Sequence, residues 1–222
     1  GAEAVRLGIA QRYRFSGQQV VLPGGLPTAR GLSDIMLGGS INWDPRWGFD
    51  SVVQYNPDTR RNTRTTLQAR YSPGAYRTVS AAYRLQRDLG SKSLDIGWQW
   101  PLNDLAGRRS ELGTTRRNGA GGSCGGGAWY SVGRLNYDLR GSQLTEGLLG
   151  VEYDAGCWIG RVVVEKLNNS ITTSTKRILF QIEFVGLSRL GSNPIAALRN
   201  NIPRYTPLRQ EVTSPSRFTE YE

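Results

Sequence analysis

The chain has 222 residues, 38% of them hydrophobic, and a mean hydropathy of −0.44. It contains no stretch of about 18 apolar residues, which excludes a membrane-spanning helix. It also has no histidine and only two cysteines, which excludes a Ser-His-Asp or Cys-His catalytic site and argues strongly against a zinc site. The net charge of +10 indicates an anionic partner such as nucleic acid, anionic lipid or another polyanion.

Ten segments alternate apolar and polar residues with a period of two, which predicts β-strands. Soluble proteins usually have strands of about 5–6 residues, whereas a strand that crosses a bilayer needs about 9–11. Strands of that length with one apolar and one charged face predict an all-β fold, an antiparallel transmembrane β-barrel with lipid outside and a polar lumen. The predicted strands are Val5–Phe15, Asp34–Trp43, Gly48–Tyr55, Asn62–Tyr71, Tyr76–Arg87, Lys92–Trp100, Ala128–Asp138, Gln143–Tyr153, Cys157–Lys166 and Arg177–Gly186.

The predicted lumen face is rich in arginine and carboxylates. Two interpretations of these charges remain open. They could mostly pair with each other in a solvated lumen, or the arginines could form a phosphate-handling surface, because the guanidinium fork suits phosphate oxygens. The lumen-facing polar residues are Arg64, Gln68, Arg70, Arg84, Arg134, Arg161, Glu165 and Glu183, with Arg6, Arg12, Arg14, Asp95 and Glu152 on the same face. The lipid face includes Leu67, Leu94, Ile96, Val162, Val164, Phe180 and Ile182.

All six tryptophans lie in or near one of the two sets of connections between the predicted strands. Consecutive barrel strands run up and down, so this set falls on one side of the membrane. Amphipathic aromatic rings prefer the headgroup layer, and the pattern therefore predicts an aromatic girdle at that interface. Most connections on this side are short, which indicates the periplasmic side. The girdle residues are Trp43, Trp47, Trp98, Trp100, Trp129 and Trp158.

The domain organisation follows from where the alternation holds. Residues 5–186 carry the strands, interrupted at 101–127 by a glycine-rich, basic insertion that we expect to be flexible and periplasmic. A C-terminal extension follows at 187–205, in which Asn193 and Pro194 are typical of the start of a short helix over Ile195–Asn200. Residues 206–222 lack periodicity and are expected to be disordered.

Nothing in the sequence predicts catalysis, a cofactor or a metal site. The insertion lacks the GxxxxGK[ST] pattern of a nucleotide-binding loop. Glu165 and Glu183 could form an acid/base pair, but a lumen carboxylate is far more often a solvated charge. The pattern leaves three functions open: a translocation conduit, a general porin or transport barrel, and a soluble basic β protein that binds nucleic acid. The last predicts aromatic residues spread out for base stacking, whereas these gather at one end.

Several strings along the chain resemble the LPS-assembly protein LptD family, also called the organic solvent tolerance family. The closest similarity lies in the C-terminal third, in EYDAGCWIGRVVVEK from Glu152, ILFQIEFVGLSRLGSNP from Ile178 and LRNNIPRY from Leu198. GIAQRYRF, WGFDSVVQYN and LDIGWQWPL follow the family's order upstream. The resemblance thus covers nearly all of residues 5–205, with the insertion as a departure.

The resemblance implies a much larger outer-membrane barrel of a Gram-negative bacterium, of which this chain forms the C-terminal part. Such proteins have an N-terminal periplasmic jellyroll, a plug lipoprotein inside the barrel and a periplasmic bridge protein that delivers lipopolysaccharide. The implied function is passive assembly of lipopolysaccharide into the outer leaflet through a lateral opening where the last strand meets the first. On that strand the residues are Ile178, Phe180, Ile182 and Phe184. The chain begins at Gly1 without a secretion signal, which indicates a mature protein, an expression product or a piece of a longer chain.

The two cysteines are disulfide candidates whose pairing remains open. Cys124 in the insertion and Cys157 before the ninth predicted strand fall on the same side of the barrel, so an internal bridge is one possibility. The resemblance implies instead that Cys157 bonds to the N-terminal region of the whole protein. The family has two adjacent cysteines where this chain has Gly156 and Cys157, so its two-bridge pattern is in doubt here. Free thiols are the third possibility.

Overall fold

The computed structural model describes residues 4–17, 30–105, 127–168, 174–184 and 187–208. Eleven strands form one antiparallel sheet in the order β1-β4-β5-β6-β7-β8-β9-β10-β11-β12-β13, and β2 and β3 form a separate pair. The predicted all-β, antiparallel architecture is confirmed, and the sheet does not close within the described residues. The strands are β1 Val5–Ala10, β2 Tyr13–Arg14, β3 Gly31–Leu32, β4 Ile35–Asp44, β5 Trp47–Asn56, β6 Arg61–Gly74, β7 Arg77–Gln86, β8 Ser91–Pro101, β9 Ala128–Asp138, β10 Gln143–Asp154, β11 Trp158–Asn168, β12 Ser174–Phe184 and β13 Ser188–Gly191.

Long strands joined by tight turns dominate the sheet. From β4 to β12 each strand has 10–14 residues, the longest being β6. The turn between β5 and β6 is typical. Asn56 Oδ1 accepts from the amides of Asp58 and Thr59, each at 2.9 Å, and Arg60 adopts a positive φ of 53° that closes the turn. The bounds of these long strands agree with the predicted ones to within a few residues. Strand β9 has the predicted bounds, Ala128–Asp138.

The first predicted strand, Val5–Phe15, is wrong as a single element. β1 leaves the sheet after Ala10, and β2 pairs instead with β3. Ser33 secures this departure, because its hydroxyl accepts from the Arg12 amide at 2.9 Å and its own amide donates to the Arg12 carbonyl at 2.7 Å. Arg12 and Arg14 therefore do not belong to the polar face of the large sheet.

Two short helices interrupt the sheet. Helix α1, Leu102–Leu105, directly follows β8. Helix α2, Pro194–Asn201, begins with proline in its first turn, and the side chain of Asn193 caps it by accepting from the Ala196 amide at 3.4 Å. No helix among the described residues is long and apolar enough to cross a membrane.

The C-terminal region differs from the sequence prediction in two respects. The last long strand, predicted over Arg177–Gly186, is Ser174–Phe184, and the unpredicted strand β13 follows it. The segment expected to be disordered begins with residues that pack, because Leu208 is buried and Thr206 hydrogen-bonds to Gln99. The predicted flexible insertion lies largely outside the described residues, as does the rest of the C-terminal tail.

Candidate functional site

One face of the large sheet carries all eight polar residues predicted to line a lumen. Directly opposite residues of neighbouring antiparallel strands share a face. The register pairs Arg161 with Glu152, and Leu148 with both Arg134 and Glu165, which places these side chains together. Residues Arg64, Gln68, Arg70 and Arg84 follow on β6 and β7 at positions of the same parity. We call this surface the polar face.

Arg161 is the centre of a buried ionic cluster on the polar face. Its side chain is fully buried, although the sequence predicted it in a solvated lumen. Its Nε donates to Glu152 Oε1 at 2.9 Å, and its Nη1 donates to Glu183 Oε2 at 2.8 Å. Nη1 also donates to Gln181 Oε1 at 3.1 Å. Charges taken out of water need such partners, so the cluster is a structural part of the sheet.

A second ionic cluster lies around Arg134 on β9. Its Nη2 is 2.6 Å from Asp95 Oδ2, and its Nη1 is 3.1 Å from Glu146 Oε2. Arg84 on β7 shares the Asp95 carboxylate at 3.2 Å. On β12, Arg177 bonds to Glu165 through its Nε. The charges over β8–β12 therefore mostly pair with each other, and they do so partly out of water.

The polar residues on β6 lie in different surroundings. Arg64 is exposed, and the Arg70 guanidinium lies over Gly48, where a Cβ would come 2.5 Å from Arg70 Nη2. The Nε of Arg70 is buried and has no hydrogen-bond partner among the described residues. Gln68 lies between these two arginines on the same face of the strand. Neither arginine has a carboxylate partner among the described residues, and with the Gln86 amide in its bonding orientation its oxygen accepts from Arg64 Nε at 3.0 Å.

Helix α2 and the residues after it cover the part of the polar face over β8–β12. Three apolar side chains of the sheet interrupt the charged pattern there, and three from the extension pack on them. The cluster includes Val132, Leu148 and Val163 from the sheet and Ile195, Leu198 and Ile202 from the extension, and these six are at most 2% exposed. Sequence reasoning missed this contact. The available signal was the three apolar residues at positions where the alternation requires polar ones.

Hydrogen bonds fasten the extension beyond the helix. Tyr205 Oη donates to Glu152 Oε1 at 2.7 Å, joining the extension to the Arg161 cluster. Burial raises the pKa of Tyr205, and the neighbouring Glu152 carboxylate raises it further, so the phenol stays protonated. The Gln99 amide makes two bonds to Thr206, donating to its carbonyl at 2.8 Å and accepting from its N–H at 3.0 Å. The extension is thus docked by packing and by specific polar contacts.

The opposite face of the sheet carries the six tryptophans, and the structure brings them together at one end. Trp47 stacks between Trp43 and Tyr71, with ring centroids 6.4 and 4.3 Å apart, and Tyr71 continues to Trp100 at 6.5 Å. A second group joins Trp129, Tyr153 and Trp158 at 4.6 and 5.3 Å. Trp98 packs on Gly133 and donates its indole N–H to Ser131 Oγ at 3.0 Å. The side chains of this aromatic band are partly exposed, as a surface facing an amphipathic environment requires.

The four residues predicted at the lateral opening, Ile178, Phe180, Ile182 and Phe184, lie on the apolar face of β12. Ile178 is 72% exposed, and the outer edge of its strand is only partly covered, by β13.

Cys157 is disulfide-bonded in the structure. Cys124, the other cysteine of the chain, lies outside the described residues. No group of three or more Asp, Glu or Cys side chains suited to a metal ion occurs within the described ranges.

A long antiparallel sheet with an apolar, aromatic face and a charged face defines a protein of the outer-membrane β class. The chain belongs to the LPS-assembly protein LptD family. The family model described as LPS transport system D matches residues 1–106. The chain is 57% identical over its whole length to the LPS-assembly protein LptD of Acidovorax sp. (strain JS42), and 56% identical to that of Paracidovorax citrulli. It is 35% identical to that of Ralstonia nicotianae.

The match covers only part of these relatives. The whole chain aligns in each case, but it spans 27% of the Acidovorax and Paracidovorax proteins and 25% of the Ralstonia protein. It corresponds to their C-terminal part.

Proposed function

We propose that this chain is the C-terminal part of an outer-membrane translocon that assembles lipopolysaccharide into the outer leaflet of a Gram-negative bacterium. The observation that carries the proposal is the 57% identity, over the whole chain, to a protein named for LPS assembly. The two faces of the sheet suit this role. The aromatic, apolar face would meet lipid, and the polar face would line the path of sugar and phosphate groups.

In this proposal Arg64 and Arg70 on β6 contact the cargo, and the carboxylate-paired charges of the two clusters do not. The Arg161 and Arg134 clusters are occupied by carboxylates of the same chain. Arg64 is exposed, and Arg70 keeps a buried Nε without a partner among the described residues. The guanidinium group binds phosphate oxygens through parallel N–H donors. We propose that the charges of the polar face serve two roles, pairing with each other over β8–β12 and phosphate handling over β6.

The chain would act as a passive conduit with no catalytic step and no cofactor. By the family resemblance, a plug lipoprotein would occupy the lumen, and a periplasmic bridge protein would deliver cargo to the N-terminal domain. The lateral opening would lie along β12. The aromatic band would mark the periplasmic interface, since most connections at that end are short.

Depletion of the full-length protein in its host tests the proposal. We expect newly made lipopolysaccharide to stop appearing on intact cells, measured by surface labelling, while uptake of small hydrophilic solutes continues. Normal surface lipopolysaccharide with impaired solute uptake would instead identify a general porin. A matched pair of variants refines the test. Arg64→Gln with Arg70→Gln should slow surface delivery more than Arg46→Gln, which removes an exposed charge at a turn.

A further inference from the structure

Among the described residues, the outer edge of β12 is covered along only part of its length. β12 spans Ser174–Phe184 and pairs with β11 along all of it. On the other side, β13 pairs only with the final residues, from Gln181 opposite Gly191 to Phe184 opposite Ser188. The two halves of the same edge therefore have different surroundings.

The hydrogen bonds identify which backbone groups the covered half uses. In an antiparallel ladder the N–H and C=O of one residue point to the same side, and those of the next residue point to the other. The Phe180 amide donates to Ser192 Oγ at 2.8 Å, and its carbonyl accepts from the Ser192 amide at 2.8 Å. The Phe184 carbonyl accepts from the Leu187 amide at 3.1 Å. The backbone N–H and C=O groups of the even-numbered residues of β12 thus point away from β11.

The uncovered half then presents the backbone groups of Ser174, Lys176 and Ile178. None of them has a partner among the described residues, and the Ile178 side chain is 72% exposed. Unpaired N–H and C=O groups cannot persist in lipid, so another strand must complete this half of the edge. The relatives are long enough to supply one, since this chain spans only 27% of the first two.

Gly191 determines where the coverage ends. Its φ is +107°, and a Cβ would lie 2.3 Å from the Phe180 carbonyl oxygen. Only glycine fits such a conformation at such a distance. The chain leaves the edge at this residue, Ser192 closes the last bonds to Phe180, and Asn193 starts the cap of α2. The residues Gly191, Ser192 and Asn193 therefore determine where β13 ends.

We propose that β13 is a spacer that restricts the pairing between β12 and the strand completing the barrel to the stretch from Ser174 to Ile178. Beyond Phe180 the two strands are held apart, because β13 occupies the position between them. The separation there is two strand spacings, roughly 10 Å in place of about 5 Å. This inference rests on the proposed function, because it places the lateral opening at the Trp158 end of β12, where Phe184 pairs with Trp158.

Photocrosslinking in the full-length protein tests the spacer. Benzoylphenylalanine is placed at Ile178 or at Ile182, two isoleucines on the same face of β12. We expect position 178 to crosslink to a strand from elsewhere in the protein, and position 182 to crosslink only within residues 187–192. Crosslinking of position 182 to the same strand as position 178 would overturn the proposal. A failure of position 178 to crosslink to any strand from elsewhere in the protein would also overturn it.

Variants at Gly191 and Ser192, where the chain leaves the edge of β12, supply a second test. Gly191→Val should displace β13 and give position 182 a new crosslink to the completing strand. Ser192→Ala, a milder change that removes the hydroxyl bonds to Phe180, should do so to a smaller extent. Ser188→Ala is the matched control and should leave the pattern unchanged. An unchanged crosslinking pattern in both Gly191→Val and Ser192→Ala would show that β13 does not restrict the pairing between β12 and the completing strand.

Surface lipopolysaccharide is measured in the same cells, so the two ideas fail separately. Normal delivery of lipopolysaccharide, together with crosslinks to the completing strand along all of β12, would reject the spacer role of β13 and leave the proposed function standing. Absent delivery by the wild-type protein removes the proposed function, while the crosslink pattern still reports on the spacer.

Discussion

Arg161 shows how a residue expected in water can become part of a core. The alternation placed it on the polar face, and that assignment agrees with the register. The sequence did not reveal that the extension folds over this face and removes the water. Once covered, the guanidinium needs the carboxylates of Glu152 and Glu183, and it has both.

Replacing Arg161 with methionine should lower the free energy of unfolding by about 3–5 kcal/mol, because two carboxylates then lose their buried partner. Chemical denaturation of the full-length protein in detergent measures the change. Arg64→Met, at an exposed arginine of the same face, should shift it by at most about 0.5 kcal/mol. Adding Glu152→Gln and Glu183→Gln to the Arg161 variant should recover part of the loss. Equal effects of the two arginine variants would contradict the cluster.

Tyr205 should make docking of the extension pH-dependent. Its pKa is raised in the folded state, so its contribution is complete below the unfolded value of about 10 and is lost as the pH rises above it. A spin label at Arg199→Cys should become more mobile between about pH 10 and 11. In Tyr205→Phe the ring remains but the hydroxyl bond to Glu152 is gone. Its label should be more mobile at neutral pH and show a weaker pH response, and an identical response in both proteins would exclude Tyr205 as the titrating group.

The pairing of Cys157 can be settled by peptide mapping of the full-length protein without reduction. The internal bridge to Cys124 is one of the two pairings that the sequence leaves open for the disulfide-bonded Cys157. If that bridge forms, a linked peptide containing both Cys124 and Cys157 is the expected product. A Cys157 peptide linked to any other cysteine would show that the pairing reaches into the N-terminal region.

At the scale of elements, period-two alternation predicts the long strands because one face excludes water and the other carries charge. It holds best for Ala128–Asp138. It cannot predict β13, whose four residues are too few to show a period. It also fails at Val5–Phe15, where alternation continues but the chain leaves the sheet. Propensity marks Asn193 and Pro194 as a helix start, yet nothing local shows which surface that helix covers.

Cysteine scanning of the two faces should therefore give three classes of reactivity rather than two. Ile96→Cys and Val164→Cys should resist aqueous thiol reagents, and Arg64→Cys should react. Arg134→Cys should react only after truncation at Phe184, because the extension covers it. Reaction of Arg134→Cys in the intact protein would contradict a docked extension.

Charge on the apolar face tests its contact with lipid. Val164→Arg should cost about 2–4 kcal/mol if the side chain lies near the bilayer midplane. Folding yield into detergent or lipid measures the effect. Lys176→Arg keeps the charge on β12 and should leave the yield unchanged.

Among the described residues, the large sheet ends at β1 on one side and at β13 with the uncovered half of β12 on the other. Produced alone, this chain should aggregate or join these edges into a smaller, non-native barrel, since open edges do not persist in lipid. Size-exclusion chromatography in detergent, with crosslinking between β1 and β12, distinguishes the two outcomes. A stable monomer with both edges open would contradict this expectation.

The docked extension also fixes an order of events during biogenesis. Its contacts with β8–β12 lie on the inside of the sheet, where a closed barrel would leave little access. The Gln99–Thr206 bonds span 107 residues and the Tyr205–Glu152 bond spans 53, so these non-local contacts form once strands β8–β12 have paired. The extension is thus needed in place before the barrel closes, and a chain truncated at Phe184 should stall as an unclosed intermediate.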